Sequence, residues 1–192
     1  MHNLWLVIPT GDRTQYLQDI FNESGIPEDK RILVRTIPNA EPVPNAINLQ
    51  YEGEFNIHKW WNMGIKHAEL NGAEYVAVLN DDVQILDDPF SKIVAVMKAT
   101  GAPLGYPFPF MGHVCGYCWV LDVKSKIRPD EEYVWWYGDR DLDVQARLNG
   151  GVVHVPAMVR HIHGNELTSR SVELMEITKK DEELFFKKWS DK

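Results

Sequence analysis

The sequence predicts an α/β fold with an open, mostly parallel central sheet flanked by helices. Three observations lead there. The apolar runs at residues 4–8 and 75–79 are continuous and not alternating, which is the pattern of strands buried on both faces. Segments with helical spacing of apolar residues separate the strand candidates. Pro, Gly and Asn punctuate the ends of these segments, as chain turns between elements require.

Taken in order, residues 4–8 form a first strand stopped by Pro9-Thr10-Gly11, and residues 13–21 follow as a helix. A second strand at 32–37 stops at Pro38-Asn39, a Pro- and Asn-rich loop runs to Pro44, and residues 46–50 give another short strand. Ile57, Trp60, Trp61, Gly64, Ile65 and Ala68 recur at helical spacing across 56–70, with Asn71-Gly72 as the stop. The strand at 75–79 runs directly into Asn80-Asp81-Asp82, and a helix at 89–99 follows. Beyond Gly101 the pattern is less regular. Pro103, Pro107 and Pro109 interleave with Tyr106, Phe108 and Phe110 in a loop, and a strand then passes through Trp119 and Leu121. An aromatic run at 133–137, a helix at 141–148 and a strand at 152–155 closed by Pro156 come next. The tail, 171–189, reads as an amphipathic helix broken by the charged run 179–183, and no internal repeat is present.

With 192 residues, 44% hydrophobic and 25% charged, the chain fits one globular domain able to bury a sheet without disulfides. No stretch approaches the roughly 18 uninterrupted apolar residues of a membrane span. The first segment lacks the basic start and cleavage site of a signal peptide, so a soluble, cytoplasmic protein is expected. The net charge of -8 gives no electrostatic footprint for nonspecific nucleic-acid binding. Cys115 and Cys118 have C-x-x-C spacing but lie in an apolar, strand-like setting that suits small buried hydrophobes better than a zinc site, even with His113 nearby.

In an open parallel sheet ligands bind beyond the carboxyl ends of the strands, and Asp81 and Asp82 stand there. A carboxylate pair at the end of a buried strand needs its charge offset, and a divalent cation with a diphosphate suits such oxygen ligands; an Asx turn is the alternative. Gly138-Asp139-Arg140-Asp141 opens a helix, so Asp139 is either an N-cap or a carboxylate kept ionised by the helix dipole and able to serve as a base. His161 and His163, two residues apart, offer imidazoles that could complete a metal's coordination.

The order of these motifs resembles the family 2 group of GT-A glycosyltransferases: Ile8-Pro9-Thr10, Asn62-Met63-Gly64, Leu79-Asn80-Asp81-Asp82-Val83, Asp130-Glu131, Gly138-Asp139-Arg140-Asp141-Leu142, Pro156 and His161. The resemblance covers nearly the whole chain and implies a GT-A, Rossmann-like fold. It divides the chain into a nucleotide-sugar half (1–100), an acceptor and catalytic half (101–170) and a helical tail (171–192). The acidic triplet matches the family's D-x-D motif, with Asn80 in place of the first Asp. That match implies a metal role for Asp82, Mn2+ or Mg2+, with His161 or His163 as its histidine partner. Asp139 matches the base, but the acidic neighbour of the family's pair is missing and Asp141 competes for the role. Pro9, Thr10, Arg13, Asn39, Asn62, Asn80 and Asp81 match the cradle of a nucleotide-diphosphate sugar, and the resemblance favours a UDP-sugar.

The activity so implied is metal-dependent, inverting transfer of a sugar to a hydroxyl acceptor: a glycan, a protein side chain or a modified nucleic-acid base. His113, Trp135, Trp136 and Tyr137 are the acceptor-site candidates. A sugar nucleotidyltransferase is the nearest rival, but the short Thr10-Gly11-Asp12-Arg13 loop lacks the Gly-rich, basic character such enzymes use. A noncatalytic nucleotide-sugar-binding module is the other.

Overall fold

The computed structural model describes residues 3–108, 112–163 and 171–190. Eight strands form one sheet: β1 (Leu4–Thr10), β2 (Arg31–Arg35), β3 (Ile47–Gln50), β4 (Tyr75–Leu79), β5 (Val83–Ile85), β6 (Leu104–Phe108), β7 (Cys118–Asp122) and β8 (Val152–His161). They lie in the order β3-β2-β1-β4-β7-β6-β8-β5. The first four run parallel, β7 runs against both its neighbours, β6 and β8 are parallel, and β5 pairs antiparallel to β8.

Alternate residues of the central strands feed two separate cores. Leu6 and Ile8 of β1 point to one face, where α1 (Leu17–Ser24) and α3 (Pro89–Thr100) bury Leu17, Ile20, Phe21, Phe90, Ile93 and Met97. Trp5 and Val7 point to the other, where α2 (Ile57–Leu70) and α4 (Gly138–Leu148) bury Trp61, Ile65, Leu142 and Ala146. A strand covered on both sides has no polar face to keep, which is why its sequence reads as one apolar run. Asn56 caps α2 by accepting the Lys59 N–H, and Asp88 caps α3 through Ser91, with Pro89 at its first position.

Five expectations change, the first being that residues 104–108, read as loop, form the strand β6. The helix foreseen at 13–21 starts only at Leu17, leaving residues 11–16 as an irregular loop beyond β1. The late helix begins at Gly138, so Asp139 and Asp141 both lie in its first turn. Pro156 does not close β8. The pairing with β6 shifts register between Phe108 and Pro107, and this irregularity takes up Pro156 where its missing N–H breaks no ladder bond. The charged run 179–183 does not interrupt the tail, which is one helix, α5 (Val172–Trp189), capped by Ser171. Among the described residues no helix is long and apolar enough to cross a membrane.

Candidate functional site

The order of strands turns around between β1 and β4, since the chain leaves β1 toward β2 and leaves β4 toward the opposite edge. Such a turning point opens a crevice at the carboxyl ends of the two strands. Into it the β4 end delivers Asp81 and Asp82, and the β1 end delivers Thr10 and Arg13. Thr10 Oγ1 donates to Asp81 Oδ2 at 2.9 Å. The Arg13 guanidinium spans both carboxylates, with Nη2 2.9 Å from Asp81 Oδ1 and Nη1 2.8 Å from Asp82 Oδ2. Both aspartates are buried, at 4% and 2% exposure. Burial pushes the Asp81 carboxyl up to about 6 against the pull of Arg13 and Thr10. Burial also acts upward on Asp82, but the hydrogen bond and charge of His161, with Arg13 and His163, outweigh it and hold that group below its ordinary value.

His161 reaches Asp82 through the β5–β8 pairing. Val83 is the register partner of His161, and Ile162 donates its N–H to the Asp82 carbonyl at 2.9 Å, so the imidazole Nε2 lies 3.0 Å from Asp82 Oδ1. The Asn80 amide stands 3.5 Å from the same nitrogen, and the Tyr117 ring stacks on the imidazole at 5.0 Å. His163 turns instead to the Tyr16 hydroxyl, 3.1 Å from its Nε2. Among the described residues no three His, Cys, Asp or Glu side chains are gathered into a complete protein metal site.

Asp139 belongs to the same neighbourhood through the segment before β7. Gly116 donates its N–H to Asp139 Oδ2 at 2.9 Å, and the next residue, Tyr117, accepts the Asn80 N–H at 3.0 Å. The remaining Asp139 oxygen accepts the Arg140 N–H at 2.8 Å. Burial prevails over these donors, His113 and the Arg140 charge, and raises the Asp139 pKa above its ordinary value. Asp139 lies in the first turn of α4, and Tyr137, not Asp139, stands at the N-cap position. Gly138 is forced by packing: a Cβ there would stand 1.9 Å from Nε2 of the buried His58.

Asp141 lies elsewhere. It is fully buried and takes hydrogen bonds from Tyr133, Gln145 and Trp189 and an ion pair from Lys188 at 2.7 Å. Lys188 also pairs with Asp130 at 2.6 Å. A second anchor is Asp181 of α5, 3% exposed, which accepts the backbone N–H groups of Val134, Trp135 and Trp136 at 3.1, 2.8 and 2.8 Å. Tyr137, at φ 64°, packs on Phe185 and Phe186 and bonds Glu182. The aromatic run is thus fastened to α5 through its backbone and through Tyr137, while the Trp135 ring meets Phe55. Asn62 donates to Pro129 and Glu131 and so ties α2 to this segment, and Asn39 is exposed in a turn at φ 56°. Neither joins the carboxylate cluster.

Two residues escaped the sequence reading. Asp181 was absorbed into a charge run. Arg35, last in β2 and register partner of Thr10, is 4% exposed, with Nε and Nη1 lacking partners among the described residues. A charged residue at the carboxyl end of a buried strand was the available signal. Cys118 is buried in β7 and Cys115 half-buried, both free thiols whose ionisation burial pushes up, Cys115 to about 11.

No family model matches the sequence, and no curated protein does. The fold, however, is the GT-A fold of nucleotide-diphospho-sugar transferases. Particular structures with it include the S. aureus TarS fragment 1-349 in complex with UDP (TM-score 0.66, 14% identity, 94% of this chain and 65% of that one). A putative nucleotide-diphospho-sugar transferase from Desulfovibrio desulfuricans G20 aligns over 96% of this chain and 99% of its own, at TM-score 0.53 and 10% identity. The mannosyltransferase PcManGT from Pyrobaculum calidifontis, in complex with GDP-Man and Mn2+, aligns over 80% and 55% (TM-score 0.60, 11% identity). The chain spans less than two thirds of the TarS fragment.

Proposed function

We propose that the chain is a metal-dependent glycosyltransferase moving a sugar from a nucleotide-diphosphate donor, a UDP-sugar in the first instance, to a hydroxyl acceptor with inversion. The carrying observation is the buried Asp81–Asp82 pair at the turning point of the sheet, with Arg13, Thr10 and His161 upon it and Asp139 one short segment away. The TarS complex with UDP and the PcManGT complex with GDP-Man and Mn2+ support donor and cation of this kind. The residues fit a cation: two buried carboxylates face one guanidinium, and Asp82 with His161 offers the oxygen and nitrogen donors that Mn2+ accepts, the rest coming from phosphate and water. His161, facing Asp82, takes the ligand role in preference to His163. When bound, the cation neutralises charge growing on the leaving diphosphate.

The chain's own groups do the remainder. Thr10 and Arg13 orient the donor, with Arg35 supplying further donors on the β2 side. Asp139, its basicity raised by burial, removes the acceptor's proton at a carboxylate oxygen, and attack from the face opposite the leaving group inverts the anomeric carbon. Asp141, committed to four partners, holds the loop. The acceptor, whether glycan, protein or modified base, is placed beside Asp139; the cavity of about 530 Å³ lined by Phe55, Val134, Ile177 and Leu184, with Glu131 and Lys180, includes neither Asp139 nor the Asp81–Asp82 pair and is not assigned to it. The cytoplasmic setting expected from the sequence belongs to this reading. Incubation with Mn2+ and a panel of nucleotide sugars, with release of nucleotide diphosphate as readout, tests it: slow metal-dependent hydrolysis of one donor is expected. No release and no thermal stabilisation by any donor would remove the proposal.

A further inference from the structure

Arg13 holds the position a cation at Asp82 would need. Asp82 Oδ1 faces His161 and Oδ2 faces Arg13, so neither oxygen lacks a partner. The guanidinium reaches in from outside. Its side chain is 32% exposed, against 6% and 3% for Asp81 and Asp82, and it hangs from the irregular loop between β1 and α1. It can therefore leave the pair without unpacking either core.

Charge balance governs which ligands the crevice accepts. Two buried carboxylates face one guanidinium directly, with His161 on Asp82 and the buried Arg35 on the β2 side of the same crevice. A divalent cation entering beside Arg13 makes it crowded with positive charge, and a diphosphate entering alone meets two aspartates. Only when both arrive, and Arg13 turns from the aspartates to the phosphates, does the site keep its original balance. Arginine suits this exchange because its planar fork matches carboxylate and phosphate alike.

We propose that Arg13 is the resident counter-ion of the Asp81–Asp82 pair and is traded from carboxylates to diphosphate as the divalent cation enters, so that cation and donor bind cooperatively and Arg13 sets the size of the coupling. The inference rests on the reading of this crevice as a cation and donor site. It is tested by titrating Mn2+, followed by electron paramagnetic resonance, and UDP, followed by calorimetry, each alone and in the presence of the other. Wild type, Arg13→Gln and Arg13→Lys are compared. In the wild type UDP tightens Mn2+ binding on the order of tenfold or more, and Mn2+ tightens UDP by the same factor. Arg13→Gln binds Mn2+ alone several-fold more tightly than wild type and the Mn2+–UDP pair less tightly, so the coupling factor falls toward one. Arg13→Lys, which keeps the charge but loses the fork, falls between them. If Arg13→Gln keeps the wild-type coupling, or takes up Mn2+ alone no better, the exchange is wrong while the glycosyltransferase reading stands. If the wild type binds neither Mn2+ nor UDP, singly or together, both fall.

Discussion

Among the described residues the half-buried Asp139 carboxylate is held by two backbone N–H groups. A base should be so placed, held in orientation with its proton affinity raised and no strong ion pair to satisfy it. Asp139→Asn is expected to slow Mn2+-dependent donor hydrolysis on the order of 10²- to 10⁴-fold while leaving the thermal shift given by UDP and Mn2+ unchanged. Equal loss of both would make Asp139 a binding group. Its neighbour Gly138 has a different job. The missing Cβ leaves room for His58, and Gly138→Ala should destabilise the fold by about 1–3 kcal/mol through overpacking, readable in urea melts. A melt identical to wild type would mean that the helix start and His58 do not touch.

At the scale of elements, α5 is a clamp on the segment leading to Asp139. Three N–H groups converge on the Asp181 carboxylate, and such charge-assisted bonds are the strong ones. Asp181→Ala leaves those amides without their acceptor and should cost about 3 kcal/mol, with faster hydrogen exchange at residues 134–136 than at the strands of the core. If exchange there is unaltered, α5 does not hold the loop. This role was invisible in the sequence, because one inward-facing aspartate within Lys179–Glu183 looks the same as its four charged neighbours until the helix is docked. β5 was missed for another reason: three residues are too few to show a period, and its pairing partner lies almost eighty residues away. The central strands and the carboxylates at the end of β4 were legible because continuous apolarity followed abruptly by acid has few other meanings. The fate of Asp141 was not, since its partners come from α5 and from a tyrosine upstream.

For the molecule as a whole, the two cores settle the fold and one histidine makes it acid-sensitive. His58 is 1% exposed, donates Nδ1–H to the Tyr133 carbonyl at 2.8 Å and has no partner at Nε2 among the described residues. Burial depresses its pKa from 6.5 to about 4, against the upward pull of the Tyr133 carbonyl and of Asp181, Asp141 and Asp130. The unfolded chain takes up this proton first, so stability from His58 is complete above pH 6.5 and declines as pH falls toward 4. The decline is about 3 kcal/mol if the whole interval counts. Urea melts across that range should show it, and the His58 ring should titrate near 4 by NMR; a midpoint at 6 or above would contradict the buried, neutral imidazole. The parallel half of the sheet followed from the sequence, whereas the reversal at β7 did not, because direction is fixed by which loops close and not by the strand's own residues. The β5–β8 pair, finally, acts as a ruler. His161 is set by the register of β8 on β6 and on β5, so inserting one residue between Asp82 and Val83 would leave the imidazole in place and move Asp82 away from its pairing with Ile162 and His161. The distance between imidazole and carboxylate is therefore counted in whole residues, and recombination within 82–85 will preserve chemistry only where that count is kept.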